Sequence, residues 1–289
     1  MKVLVVGGAG YVGGAVTNLL GKTNHQVRVY DGLLYEESYR KPVDFVFGDV
    51  RDQKRLRPHV DWADAVIWLA ALVGDGACAL NPDITTQINQ DSVQWLSENF
   101  DGRIIYTSTC SVYGAQEGEL DESSLLNPLS VYAVTKLNSE RYLEGKNAII
   151  YRLGTLFGVG DEFSRVRMDL VVNVLTVRAF FHGEIKVFGG EQYRPLLHVY
   201  DAAQTIVDQL TSTNTGVFNL KQQNVRIIDL ANQLLEHFPK LKVETTPMHF
   251  QDSRNYRASS KKAEKILGFN PVRSIHDGIT EVRDRKSVV

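Results

Sequence analysis

A tyrosine and a lysine stand one helical turn apart in the run Ser130-Val131-Tyr132-Ala133-Val134-Thr135-Lys136. Helix positions four apart share a face. A phenol near its ordinary pKa of about 10 is a poor base at neutral pH, but a cation beside it favours the phenolate. The pair fits a group that takes a proton from a hydroxyl and later returns it. Upstream, Thr109 ends Thr107-Ser108-Thr109 and offers a second hydroxyl at the C-terminal end of a strand, where parallel sheets bind ligands. The chain opens with Gly7-Gly8-Ala9-Gly10-Tyr11-Val12-Gly13, directly after the apolar run Val3 to Val6. Gly7, Gly10 and Gly13 have the spacing that permits a tight turn, close approach of backbone to a pyrophosphate, and packing of helix on strand. The helix that begins at Tyr11 and Val12 then points N–H groups at the phosphates. Asp31 follows Gly13 by eighteen residues. It is placed to accept hydrogen bonds from an adenosine ribose, and its charge disfavours a 2′-phosphate, so the pattern favours NAD over NADP.

These residues need a scaffold that brings strand ends together. The first half of the chain supplies one. Short apolar runs at Val3 to Val6, Gln26 to Asp31, Phe45 to Gly48, Ala65 to Ala70, Arg103 to Ser108 and Ala148 to Arg152 read as strands. Amphipathic stretches at Val12 to Leu20, Ile84 to Asn99 and Val131 to Leu143 read as helices between them. Alternation of this kind predicts a doubly wound, Rossmann-type α/β domain with a parallel sheet covered on both faces. Asp49 and Val50 close the third strand and place an acceptor near the adenine. Leu69, Ala70 and Ala71 end the fourth with small residues where backbone passes close to a ligand. Beyond Gly158 the pattern becomes mixed, which predicts a smaller α/β substrate domain. The expected division is 1–157 for the cofactor domain with a return near 191–216, and 158–190 with 217–289 for the substrate domain.

Composition narrows the function classes. The chain has 289 residues, 43% apolar and 23% charged, with a formal net charge of −2. No basic stripe suggests a nucleic-acid partner, no apolar run approaches the length of a membrane helix, and the histidines lack metal-ligand spacing. Cys78 and Cys110 form no disulfide framework, so a cytoplasmic location is expected. Arg165 and Arg167 fall in a charged loop that is either solvated or meets substrate phosphates.

Taken in order, Gly7-x-x-Gly10-x-x-Gly13, Asp31, Gly48-Asp49-Val50, Leu69-Ala70-Ala71, the run from Thr107 to Gly114, and Tyr132-x-x-x-Lys136 resemble the extended short-chain dehydrogenase/reductases, in their NAD-dependent nucleotide-sugar epimerase/dehydratase branch. Arg194 to Asp201 and Asp252 to Ser259 resemble later segments of the same branch. The resemblance implies that Tyr132 is the catalytic acid/base, that Lys136 holds the nicotinamide ribose and lowers the tyrosine pKa, and that Thr109 hydrogen-bonds the reacting sugar oxygen. It implies that Arg194, and secondarily Arg254, meet a substrate diphosphate, and that Asn89 lies near the cofactor.

Two departures bear on the reaction. Branch dehydratases carry Asp-Glu directly after the catalytic threonine; here the pair is Cys110-Ser111. Many members have an asparagine near the substrate phosphates where this chain has Thr155. The expected activity is therefore oxidoreduction at a sugar hydroxyl, C4, of a nucleotide-diphosphate sugar, with net epimerisation through a keto intermediate. The alternatives are a dehydrogenase or reductase that releases its product, and a non-catalytic NAD-binding sensor or scaffold. The resemblance also implies a homodimer formed through the helices near Ile84 to Asn99 and Val131 to Leu143. Val93, Leu96, Val134 and Leu137 either supply its apolar surface or face the sheet.

Overall fold

A computed structural model describes residues 1–164, 167–247 and 255–285. Strands β1 (Lys2–Val6), β2 (Gln26–Asp31), β3 (Asp44–Phe47), β4 (Ala65–Trp68) and β5 (Arg103–Thr109) alternate with helices α1 (Tyr11–Leu20), α2 (Gln53–Trp62), α3 (Asp75–Leu80), α4 (Pro82–Thr86) and α5 (Ser92–Asn99). A π-helical turn, Gln87–Asp91, joins α4 to α5. The short β6 (Glu119–Leu120) precedes α6 (Val131–Tyr142), β7 (Ala148–Leu153), β8 (Thr155–Phe157), α7 (Val171–His182), β9 (Glu184–Phe188), β10 (Tyr193–His198), α8 (Val199–Asp208) and β11 (Gly216–Leu220). The chain continues through β12 (Gln223–Arg226), α9 (Ile227–His237), β13 (Lys242–Thr246), β14 (Arg257–Ala258), α10 (Lys261–Leu267) and α11 (Ile275–Asp284).

The central sheet has seven strands in the order β11-β7-β5-β4-β1-β2-β3, and every neighbouring pair is parallel. β4, β5 and β7 are buried at every residue, which is why Ala65–Trp68, Ile104–Tyr106 and Ala148–Tyr151 read as continuous apolar runs rather than alternating ones. Val3 and Val5 pack with α1 and α8 on one face, while Leu4 and Val6 pack with Leu56 of α2 and Leu96 of α5 on the other. The strand order reverses between β1 and β4, so a crevice opens at the C-terminal ends of those strands. A smaller core of α7, β9, α9 and α11 stands beside it.

Several boundaries differ from the sequence pattern, for physical reasons. α2 was not anticipated, because it is strongly polar, with Leu56 and Val60 its only buried residues and Pro58 inside it. The expected helix at 84–99 is present and continuous, with a π turn at Gln87–Asp91 inside it. The chain's return to the central layer is made by α8, which packs on α1, and by β11, and so extends past residue 216. Val93, Leu96 and Leu137 face inward, and of the four apolar residues considered for helix pairing Val134 alone is exposed.

One buried polar network joins four elements. Arg152 of β7 donates through Nε and Nη2 to the carboxylate of Glu140 on α6, with Nη2 at 2.7 Å. Ser108 of β5 also donates to Glu140. Arg152 Nη1 donates to the Tyr113 hydroxyl at 3.0 Å, which donates in turn to Asn219 Oδ1 of β11 at 2.8 Å. The two charged side chains are each about 5% exposed. Removing one member of such a pair leaves the other charge buried and uncompensated. Glu140→Ala is expected to cost about 3–5 kcal/mol of stability, read as a lower urea midpoint with an unchanged slope.

Candidate active site

The glycine turn leaves no room for side chains. Gly7 has φ +86°, and a Cβ there would lie 2.5 Å from the amide nitrogen of Ala70. The Val6 carbonyl accepts from both Leu69 and Ala70, at 2.8 and 2.9 Å, which draws the two strand ends together. A Cβ on Gly13 would lie 2.5 Å from the Gly7 carbonyl oxygen. Gly10 is the N-cap of α1 and brings no capping side chain, so no side chain competes with a ligand for the first-turn N–H groups. Asp31 ends β2 beside this turn. Its Oδ2 accepts from Ala9 N at 3.0 Å and its Oδ1 from Leu33 N at 2.8 Å. Burial raises its carboxyl above the ordinary value, and those N–H groups oppose the rise. A carboxylate has about four acceptor sites, so Asp31 is held in place with capacity to spare. Turn, uncapped helix and anchored acid fit a dinucleotide whose adenosine ribose carries no phosphate.

Beyond the turn lies a cavity of about 1220 Å³. Val12, Leu69, Ala71, Thr109, Ser111, Tyr132, Lys136, Thr155 and Arg194 all line it, residues that the chain separates widely. Ser130 caps α6 by accepting from Ala133 N at 3.2 Å, and donates to Asp75 Oδ1 at 2.8 Å, which fixes the start of the helix that carries Tyr132 and Lys136. Thr109 closes β5 and accepts from Ser111 N at 3.1 Å, and it lines the same cavity as the Tyr132 phenol. Burial pushes Tyr132 up to about 12, opposed most by Arg167 and then by Thr109. Lys136 is 2% exposed, and its ammonium sits 4.3 Å over the ring of Tyr106. Burial lowers it to about 7, against the pull of Glu140 and Cys78. The lysine thus gives up its charge readily near neutrality, and the strongest cation acting on Tyr132 is Arg167.

Other sequence-derived candidates do different work. The Tyr11 hydroxyl donates to the Gly158 carbonyl at 2.7 Å and ties α1 to the chain just after β8. Asp49 pairs with Arg51, Nη2 to Oδ2 at 2.5 Å, which holds its carboxyl below the usual range, and Val50 is buried beside it. Asn89 is 1% exposed and clamps Leu72, accepting from its N at 2.8 Å and donating to its O at 2.9 Å, so it shapes the loop after β4. Cys110 faces away from the cavity and donates to the Arg152 carbonyl at 3.2 Å, and burial pushes its thiol well up. Cys78 is fully buried under the lining formed by Val73 to Ala77. Arg165 and Arg254 lie outside the described residues.

The cavity also collects residues that sequence reasoning did not single out: Asp75, Arg178, Lys186, Gln192 and Tyr256. The Tyr256 hydroxyl lies 3.4 Å from Ser111 Oγ. Gly74, the local sign of a turn, precedes Asp75. The others arrive from separate elements: Arg178 from α7, Lys186 from β9, Gln192 just before β10 and Tyr256 just before β14.

The NAD dependent epimerase/dehydratase family model matches residues 3–220. A UDP-glucose 4-epimerase of Halalkalibacterium halodurans is 28% identical, with 94% of this chain and 91% of that protein aligned. A dTDP-glucose 4,6-dehydratase of Streptomyces niveus is 26% identical over 97% of this chain and 91% of that protein. Among solved structures, the UDP-glucose 4-epimerase of Thermus thermophilus in complex with NAD superposes with a TM-score of 0.86 at 22% identity, covering 100% of both chains.

The buried Lys136 burdens the fold in a pH-dependent way. The unfolded chain keeps this proton up to the ordinary value of 10.5, and the folded protein releases it near 7. The cost is complete below about pH 7, shrinks as pH rises and vanishes above about 10.5. Lys136→Met is expected to stabilise the protein by about 1–4 kcal/mol at pH 6. Thermal melts at pH 6 and pH 9 check this: the variant's advantage should be smaller at pH 9.

Proposed function

The chain belongs to the NAD dependent epimerase/dehydratase family, a family of NAD-dependent enzymes, and on that premise we propose that it oxidises the C4 hydroxyl of a nucleotide-diphosphate sugar and reduces the product again, with net epimerisation. The observation that carries this reading is one cavity wall bearing Tyr132, Lys136 and Thr109 with no carboxylate at positions 110 and 111. The cavity volume of about 1220 Å³ exceeds the roughly 300–1000 Å³ of a single-ligand site, which suits a dinucleotide and a sugar nucleotide together.

Bound NAD would supply the acceptor, and then the donor, of the hydride. Gly7, Gly10 and Gly13 would carry its pyrophosphate and Asp31 its adenosine ribose. Tyr132 removes the proton of the sugar hydroxyl, and Thr109 steadies the same oxygen by hydrogen bonding. The keto sugar turns in the cavity, and Tyr132 returns the proton once the carbon has been reduced on its other face. Dehydration needs an acid and a base next to Thr109. Cys110 is turned toward Arg152 and Ser111 is a neutral hydroxyl, so neither residue supplies them. Arg178, Lys186 and Arg194 suit the diphosphate, Arg194 through its planar fork of donors.

UDP-glucose is the first probe, because relatives are named for it. Mass spectrometry of the denatured protein is expected to find stoichiometric NAD in wild type and in Tyr132→Phe, while interconversion of UDP-glucose and UDP-galactose falls about 10²–10⁴-fold in the variant. A wild-type protein without retained NAD would overturn the epimerase reading in favour of a dehydrogenase that exchanges cofactor at each turnover.

The reading includes a homodimer. It is supported by Leu80 on α3 and Val134 on α6, exposed apolar residues on two helices that pack together. Sedimentation equilibrium is expected to return a dimer, and Val134→Asp to shift it toward monomer; a monomeric wild type would remove this assembly.

A further inference from the structure

Between β2 and β3 the chain runs from residue 32 to residue 43 without a helix or strand, and none of these residues is buried as a whole. Such a segment opens easily unless something pins it, because few buried contacts hold it. One side chain does pin it. The Lys41 side chain is 6% exposed, and its ammonium meets three partners, as many as it has donors. It donates to the Gly14 carbonyl at 2.6 Å and to Thr17 Oγ1 at 2.7 Å, both on α1. It also pairs with the carboxylate of Asp161, whose side chain is 1% exposed. Two residues earlier, Tyr39 stacks on Phe45 of β3 with ring centroids 4.6 Å apart.

The far side of this grip is itself fixed. Asp161 Oδ1 accepts from Phe163 N at 2.9 Å and from Ser164 N. The Ser164 carbonyl accepts from Arg285, just past α11, at 3.2 Å. A Cβ on Gly14 would lie 2.7 Å from Ser164 Oγ and 2.9 Å from Asp161 Cγ, so α1 meets this loop at a glycine outside the Gly7, Gly10, Gly13 spacing. Lys41 therefore ties three separate segments together: its own, the first two turns of α1, and residues 161–164.

The segment it ties lies along the cofactor site. It starts beside Asp31, whose Oδ1 accepts from Leu33 N at 2.8 Å. Leu33 has φ +50° and is the one non-glycine residue with a positive φ among the described residues, a conformation that persists only where the surroundings impose it. Tyr35 lines the large cavity together with Val12 and Leu69. Glu36, Ser38 and Lys41 enclose a small space with Gly8 and Ala9, so the segment leans on the glycine turn. One end of the segment is set by Asp31 and the other by Lys41.

We propose that residues 32–43 are a strap along the adenosine end of the cofactor site and that Lys41 is its latch, holding Asp31 and Tyr35 in place so that bound NAD leaves slowly. The proposal rests on the reading of Gly7 to Gly13 and Asp31 as the NAD site, and is independent of the reaction at C4. The test is release of ¹⁴C-labelled NAD from the whole protein into excess unlabelled NAD, read by rapid gel filtration. Lys41→Met alone would leave Asp161 buried without its partner, so the variant to use is Lys41→Met with Asp161→Asn. It is expected to release NAD about tenfold faster, with little change in the association rate. Amides between residues 32 and 40 should also exchange with deuterium faster, while those of β1 keep their rates. Arg40→Met, which removes the neighbouring exposed cation, should release NAD at the wild-type rate. Lys41→Arg serves if the double variant melts early: it keeps the charge but spreads its donors over a planar fork, and should release NAD about threefold faster. Release at the wild-type rate in a Lys41 variant overturns the latch, and so does equal acceleration in Arg40→Met. Faster release without UDP-glucose turnover would uphold the latch while the proposed reaction failed. A wild-type protein that binds no labelled NAD would overturn the latch together with the cofactor site.

Discussion

The buried ion pair between Glu140 and Arg152 holds the site's parts in one frame. Each of its neighbours carries something chemical. α6, which bears Glu140, presents Lys136 one turn earlier and Tyr132 two turns earlier. β7, which bears Arg152, leads through Gly154 to Thr155. Ser108 precedes Thr109, and Asn219 joins through Tyr113. A pair of this kind gives little net stability, since desolvation consumes most of the attraction. Its role here is geometric: four elements must be in register before all of its hydrogen bonds can form.

Above that frame the site places charge where water would not. Burial acts on Tyr132 and Lys136 in opposite senses: the phenol resists ionising and the ammonium tends to shed its proton. Ordinary packing would avoid both. Their persistence side by side in a cavity is what the proposed proton transfer rests on. Glu140 favours the charged lysine, Arg167 favours the phenolate, and Asp75 on α3 opposes it. In the proposed reaction the balance between these groups would set how readily a proton moves.

Local features were legible in the sequence and remote ones were not. The glycines announced themselves because a turn with no room for a Cβ admits no other residue, and Gly7 and Gly13 meet backbone at 2.5 Å. Tyr132 and Lys136 could be read because helix periodicity places them on one face. Apolar strands could be read because burial on both faces demands them. Asn89 was noticed, but its clamp on Leu72 depends on a loop seventeen residues away. Arg167 was one of two arginines in a charged stretch, and only the fold distinguishes a cavity wall from a solvated loop. Glu140, Arg152 and Asn219 make contacts across long stretches of chain, which leave no period to detect. The polar α2 with its internal proline defeated pattern reading altogether.

The seventh strand has a consequence for how the molecule comes into being. β11 lies at the sheet edge beside β7, yet more than sixty residues separate them in the chain. During synthesis every residue of the glycine turn and the proton-transfer pair emerges well before Gly216–Leu220. Until that strand arrives, Ile149, Ile150 and Tyr151 border an unpaired ladder of N–H and C=O groups, the kind of edge that recruits other chains. A fragment ending at Leu153 holds the cofactor turn and still lacks Asn219, β11 and the cover of α8. Such a fragment is expected to expose an aggregation-prone edge rather than to serve as a portable nucleotide-binding module, because the strand that closes the edge comes from a distant segment of the chain.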